Sequence, residues 1–234
     1  MRYLTLRRFA LLVSIVMSML IGYSIGRVLP DARVITAFHQ LYYATQFSTG
    51  WLGVPTQKSP LDMWVYQEIL TETRPDVLLE MGTFKGGSAY YFASMFDLIG
   101  HGRVITVDIE KEPNLPVHPR VTYLLGSSTS PEIVGQIRSA LKPGEKVMVV
   151  LDSDHHAAHV RRELEIYSQM VTNGQYLVVE DTDINGHPVL AKWGPGPAEA
   201  TTDFLTSNHD FTRDLSREKF LITFFPGGWL KRVR

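Results

Sequence analysis

Cysteine is missing altogether from the 234 residues. Disulfides, zinc-thiolate sites and cysteine nucleophiles are therefore excluded together, and the redox compartment is left open. Net charge is equally scant. Lys and Arg number 23 against 24 Asp and Glu, a formal charge of −1, so no global field recruits nucleic acid, and no basic stripe interleaved with aromatics marks a nucleic-acid surface. Internal repeats and low-complexity tracts are also missing. What remains is a chain with 44% hydrophobic and 20% charged residues, the balance of a globular protein whose length suits one domain plus an appendage.

The appendage is at the amino end. Arg2, Arg7 and Arg8 precede an uncharged run of 17 residues, Phe9 to Ile25, rich in Leu, Ile, Val and Met. That is at the short end of what spans a bilayer. It is longer than most signal-peptide cores, and no Ala-x-Ala site follows before Pro30. The expectation is an uncleaved, single-pass signal anchor in residues 1–30 that makes the protein membrane-associated, the alternatives being a cleaved signal or a buried helix. The positive-inside rule places the three arginines in the cytoplasm, whereas Arg27 and Arg33 on the far flank oppose that bias, so the side of the membrane stays open. Residues 31–60 read as an aromatic linker and entry helix, with Phe38, Tyr42, Tyr43 and Phe47 at helical intervals, and residues 61–234 as the main domain. Ser59 or Asp62 caps a helix over about 61–71, whose apolar positions are Leu61, Trp64, Val65, Ile69 and Leu70.

Strand and helix patterns then alternate, which predicts an α/β fold with a doubly wound, mostly parallel sheet. Val77 opens a short apolar run that enters a glycine-rich turn, Glu80-Met-Gly82-Thr83-Phe-Lys-Gly86-Gly87-Ser88. Glycine lets such a turn approach a ligand closely. Phe84 stands where a dinucleotide fingerprint needs its second glycine, so a pyrophosphate cradle fits poorly. An acid followed by glycine, Glu80-x-Gly82, suits a ligand with an amino group and no phosphate, as S-adenosylmethionine is. Asp108 ends the next strand 28 residues further on, where a carboxylate meets ribose hydroxyls. Gly126-Ser127-Ser128 ends the third strand on the same edge and is placed to cap an adenine. The alternative is a generic strand-turn-helix junction with surface acids.

Two later strands, 146–151 and 175–179, also end in acids. Asp152, Glu180 and Asp181 converge at one sheet edge, the first two separated by 28 residues. Clustered carboxylates repel unless a cation joins them, and an all-oxygen set favours Mg²⁺, with Mn²⁺ or Ca²⁺ as substitutes. Solvated loop acids are the alternative. His155 beside Asp152 is a candidate general base; a partner or surface role is equally open to it. His159 and Glu163 have the spacing of a helical pair, which a solvated helix face also explains.

The order Lys58-Ser-Pro-x-Asp62, Glu80-x-Gly82-Thr-x-x-Gly-Gly-Ser88, Asp108-Ile, His118-Pro-Arg120, Gly126-Ser-Ser128, Leu151-Asp-Ser153, Glu180-Asp-Thr182 and Gly194-Pro-Gly-Pro-x-Glu-Ala200 resembles the cephalosporin hydroxylase family, which groups the cephamycin-biosynthesis methyltransferase component with bacterial rhamnosyl O-methyltransferases. The resemblance runs from about Trp51 to the C-terminus. It implies a Rossmann-like class I methyltransferase fold and an S-adenosylmethionine-dependent, Mg²⁺-assisted O-methyltransferase. Donor contacts are implied at Glu80, Gly82, Ser88 and Asp108, with Thr83, Gly86 and Ser127 in the same motifs, and metal ligands at Asp152, Glu180 and Asp181. The acid spacing is also similar to that of catechol O-methyltransferases. Thr223-Phe-Phe-Pro226 departs from the pattern, which has Asn before the proline, and so does the hydrophobic amino terminus.

The expected chemistry is capture of an acceptor hydroxyl by the metal, proton removal by His155 or a nearby Lys, and in-line attack on the sulfonium methyl. Acceptors of the family are sugars, glycolipids and small natural products; an anchor favours a lipid-linked sugar. Residues 185–234 are expected to form an acceptor-side lid and the last strands, with a strand over 220–225 and a basic tail at 231–234. Two other functions compete: an iron oxygenase drawing on His155, His156 and His159, and a membrane-tethered, non-catalytic binding module. A homo-oligomer is left open.

Overall fold

Helix α1 (Ala32–Tyr43) leads into a two-residue antiparallel hairpin, β1 (Gly50–Trp51) with β2 (Val54–Pro55), and then into helix α2 (Pro60–Thr73). The computed structural model describes residues 31–45 and 48–234. From Ala37 to Arg234 the chain is one unit. Alternation follows as the sequence predicts: β3 (Val77–Met81), α3 (Gly87–Ile99), β4 (Arg103–Asp108), β5 (Val121–Leu125), α4 (Pro131–Ala140), β6 (Val147–Leu151), α5 (Ala157–Tyr167), β7 (Tyr176–Val179), α6 (Pro197–Ser207), β8 (Phe211–Arg213) and β9 (Trp229–Arg232).

The strands from β3 onward form a seven-stranded sheet in the order β5-β4-β3-β6-β7-β9-β8. Strands β5, β4, β3, β6 and β7 pair in parallel, and β9 runs antiparallel between β7 and β8. After β3 the chain builds outward through β4 to β5, then returns to β6 on the other side of β3. That reversal opens a crevice at the carboxyl ends of β3 and β6, the place where open α/β sheets bind ligands. Every residue of β3, β6 and β7 is buried, as expected for parallel strands covered on both faces. The two-residue period divides them between two apolar layers. Val77, Leu79 and Met81 join one layer with Ile133, Leu164 and Tyr167, while Leu78 faces Tyr66, Phe92 and Trp229 in the other.

Three expectations are corrected. No helix among the described residues is long and apolar enough to cross a membrane, and residues 9–25, on which the single-pass anchor rested, lie outside the described residues, as does Phe47. Membrane localisation is therefore withdrawn, and with it the preference for a lipid-linked acceptor. On α2, Trp64 is 59% exposed whereas Asp62, Met63 and Tyr66 are buried; the helix turns a mixed polar and apolar stripe inward because its neighbours offer polar partners. Residues 220–225 do not form a strand. Side chains take up two of their amides instead: Phe224 N–H donates to Asp62 at 3.0 Å and Phe225 N–H to the Thr223 hydroxyl at 3.1 Å, and that hydroxyl donates to Asp62 at 2.6 Å. The antiparallel strand in this region is β9, which absorbs part of the basic tail.

Candidate active site

A cleft of about 890 Å³ opens at the carboxyl ends of the parallel strands, a volume suited to a small ligand with a second one beside it. Gly82, Thr83 and Ser88 line it from the β3–α3 junction, Asp108 from the end of β4, Ser127 from the loop after β5, Asp152 and His155 from the loop after β6, and Glu180 and Asp181 from the loop after β7. Of the residues expected to contact the donor, hold the metal or take part in the transfer, Glu80 and Gly86 stand off the cleft wall.

Glu80 is fully buried beneath the glycine loop. Strand register places it beside Thr106, whose hydroxyl donates to Oε2 at 2.6 Å. Its Oε1 has no well-formed partner, although the Ser88 hydroxyl is near enough to pull the carboxyl pKa down. Burial dominates and lifts that pKa to about 7, against Lys58, Ser88 and Thr106. The glycines answer mainly to the chain itself. Gly82 has φ +102°, and a Cβ there would sit 1.9 Å from the backbone oxygen of Asp152; at Gly86 a Cβ would meet the Pro116 ring at 2.8 Å. Close strand-to-loop packing, more than ligand approach, excludes a side chain at both positions. Asp108 accepts the Phe84 amide at 2.7 Å and the Glu110 amide at 3.0 Å, which fixes the carboxylate at the cleft edge.

On the opposite wall the acids do converge. Lys58, assigned no role from sequence beyond its place in a motif, is buried here, and its ammonium bridges Asp152 Oδ2 and Glu180 Oε2, the latter at 2.5 Å. Tyr66 Oη donates to the other oxygen of Glu180 at 2.7 Å. Burial alone would depress the Lys58 pKa, yet Asp152, Glu180 and Glu80 drive it well above the ordinary lysine value. Burial raises Glu180 against the pull of Lys58. Asp152, His155 and Asp181 each bring a ligand atom within 4.8 Å of the others, with His155 Nε2 at 3.2 Å from Asp181 Oδ2. Burial, opposed by His155, lifts Asp181 to about 6. Asp152 and Glu180 share one ammonium and Asp181 lies beside them, which leaves the three carboxylates with an excess of two negative charges when all are ionised; a divalent cation matches that excess and the oxygen-rich donor set.

A second buried carboxylate ties the loops together. Glu163 on α5 is not on a solvated face: it is fully buried, and its Oε1 accepts from Ser128 Oγ (2.5 Å), Ser153 Oγ (2.7 Å) and His159 Nε2 (3.2 Å). The loops after β5 and β6 thus hang from one oxygen. His39 on α1 similarly holds Asp183, two residues beyond Asp181, at 2.8 Å. The histidines of the competing oxygenase do not converge: His155 faces Asp181, His156 faces Asp154 at 2.6 Å, and His159 faces Glu163. Spacing from a buried helix face was the available signal for Tyr66 and Glu163; nothing local marked Lys58 or the His39–Asp183 pair, which join segments 94 and 144 residues apart.

Beyond the acids the cleft turns apolar. Tyr43, Ile184, Leu190, Trp193, Phe224 and Phe225 line that end.

The profile of the Rhamnosyl O-methyltransferase/CmcI family matches residues 42–233. The rhamnosyl O-methyltransferase of Mycobacterium bovis (strain BCG / Pasteur 1173P2) is 41% identical over 213 residues, covering 87% of this chain and 86% of the relative. That of Mycobacterium leprae (strain TN) is 39% identical over 212 residues, covering 87% and 92%. Among solved structures, CmcI with Mg and SAM superposes with a TM-score of 0.60 at 20% identity, over 80% of this chain and 78% of that one, a likeness of fold.

Proposed function

The chain belongs to the Rhamnosyl O-methyltransferase/CmcI family and is an S-adenosylmethionine-dependent O-methyltransferase; we propose that its acceptor is a hydroxyl of a rhamnosyl-type sugar and that Mg²⁺ assists the transfer. What carries this proposal is the meeting, in one cleft, of a donor side built on Asp108, Ser127 and the glycine loop with an acid side built on Asp152, His155, Glu180 and Asp181. The relatives' activity, rhamnosyl O-methylation, supports the choice of acceptor.

The residues fit both groups. On the donor side Asp108 would take the ribose hydroxyls, Ser127 would border the adenine, and the unpartnered Oε1 of Glu80 beneath the loop supplies negative potential where an amino group or sulfonium is expected. On the acid side Asp152, Glu180 and Asp181 would hold the cation. When bound, the donor supplies an electrophilic methyl on sulfur and the cation a Lewis acid that lowers the pKa of an acceptor hydroxyl.

The protein's own share is placement and proton transfer. Lys58 and Tyr66 fix Glu180, and Lys58 also fixes Asp152, so the carboxylates are oriented before substrates enter. His155 sits against Asp181 with part of its ring open to the cleft; it accepts the hydroxyl proton as general base, and Asp181 stabilises the imidazolium that results. Lys58 is unsuited to that role because its surroundings keep it protonated. The apolar wall keeps water from competing for the methyl.

Calorimetry of the full chain with S-adenosylmethionine, with and without Mg²⁺, followed by labelled-methyl transfer to methyl α-L-rhamnopyranoside and to non-carbohydrate alcohols, tests this. Donor binding with transfer to the rhamnoside is expected. Donor binding with transfer only to non-carbohydrate hydroxyls would remove the sugar acceptor, and no donor binding in either condition would remove the activity.

A further inference from the structure

We infer that Trp193 is the acceptor platform of this cleft, a specificity-determining residue whose indole face takes the C–H-rich face of a neutral pyranose. The inference rests on the sugar acceptor proposed above and assigns the side chain that selects it.

Three observations place the indole. It lines the same cleft as His155 and Asp181, and its Nε1 donates to the backbone oxygen of His155 at 3.3 Å, which ties the ring to the residue that takes the hydroxyl proton. The His156 ring stacks on it at 5.5 Å and 30°. Even so, Trp193 remains 39% exposed and Leu190 beside it 44%, so part of the indole is open to a ligand in the cleft.

The segment is also rigid. The Trp193 amide bonds Leu190 O at 2.8 Å, and the Gly194 amide bonds Asn185 Oδ1 at 3.1 Å. Asn185 Nδ2 in turn donates to Glu199 Oε1 at 3.0 Å, and Glu199 Oε2 accepts the Gly196 amide at 2.7 Å. A wide aromatic surface held still loses little conformational entropy on contact, which is what makes such side chains effective anchors.

Chemistry selects the occupant. A pyranose has one face dominated by C–H bonds, whose slightly positive hydrogens suit the negative face of an indole. Its hydroxyls on the edge are then turned toward Asp181 and His155. Among the described lining residues the one lysine, Lys58, is already bridged to Asp152 and Glu180, so no free cationic side chain pairs an anionic acceptor such as a sugar phosphate or a uronic acid, and the ring is a neutral one.

The test compares wild type with Trp193→Ala and Trp193→Phe, using methyl α-L-rhamnopyranoside as acceptor. KM for the rhamnoside should rise about tenfold in W193A and only a few-fold in W193F, with the donor dissociation constant unchanged within about twofold. Saturation-transfer NMR on wild type, which needs no variant to fold, should show the protons of one sugar face nearest the protein, with that pattern retained in W193F and lost in W193A. An unchanged KM in W193A, or saturation spread evenly over the sugar, overturns the platform while the methyltransferase reading stands. A wild type that methylates no rhamnoside overturns both.

Discussion

Lys58 and Glu180 lie 122 residues apart in sequence and 2.5 Å apart in space, Nζ to Oε2, both buried. An ammonium shared between Glu180 and Asp152 is worth more as a constraint than as a bond. Breaking a buried pair from one side leaves a charge with no compensation, a loss of about 3–5 kcal/mol. Lys58→Met should therefore lower the unfolding free energy by about 3 kcal/mol in urea denaturation, and adding Glu180→Gln should restore part of it. If the single and double variants are equally destabilised, the pair is not coupled.

Asp108 offers a sharper test of the donor side. It is held by two backbone amides and faces the cleft, so Asp108→Asn removes charge while keeping size and one acceptor oxygen. Loss of charge-assisted hydrogen bonds to a ribose should weaken S-adenosylmethionine binding roughly 10- to 100-fold by calorimetry, while thermal stability falls modestly because one of the two backbone amides loses its acceptor. Unaltered binding would move the ribose elsewhere.

Glu163 and His159 allow a prediction with a definite sign in pH. The hydrogen bond to Glu163, helped by its charge, raises the His159 pKa above the ordinary value despite partial burial. A histidine with a raised folded-state pKa stabilises the fold fully below its unfolded pKa of about 6.5, and the contribution is lost as pH climbs through the folded value. Glu163→Gln removes the cause. The stability gap between wild type and E163Q should be widest below about pH 6.5 and narrow above it, and the His159 ring resonances should titrate at lower pH in the variant. A gap that widens with pH would show that His159 is not the titrating partner.

How far the sequence could lead is clear from where these residues lie. The parallel strands were legible because buried apolar runs ending in Glu80, Asp108, Asp152 and Glu180 repeat at intervals a βαβ unit requires, and the acids at their ends were legible as one site because strand ends in such a sheet share an edge. Lys58 was not legible, since a lysine before a helix reads as solvated until the fold brings two carboxylates 94 and 122 residues away onto it. Glu163 misled for the reverse reason: a His/Glu pair one helical turn apart looks like a surface pair, and only the arrival of Ser128 and Ser153 makes burial tolerable. The stretch Phe220 to Phe225 has strand composition, but its Phe224 amide goes to Asp62 and its Phe224 oxygen to the Asp183 amide, partners that local pattern cannot reveal.

Asp62 supplies the last prediction, on stability alone. Burial raises its pKa to about 6, against the hydrogen bonds it accepts from the Phe224 amide and the Thr223 hydroxyl and the pull of the nearby Ser59 hydroxyl. Below about pH 4 the carboxyl is protonated in both the folded and unfolded chain. Between about 4 and 6 the unfolded chain ionises while the folded one still holds its proton, so stability falls with rising pH. Above the folded value the loss is complete, about 3 kcal/mol for a shift of roughly two pKa units. Asp62→Asn keeps the shape and cannot ionise. The stability of wild type minus that of D62N, followed by urea denaturation, should therefore decline from pH 4 to pH 6 and level off by pH 7. A difference that stays flat, or rises over that interval, would mean that the amide and hydroxyl donors hold Asp62 ionised in the fold, and that the join between α2 and the 220–225 segment is a charged one.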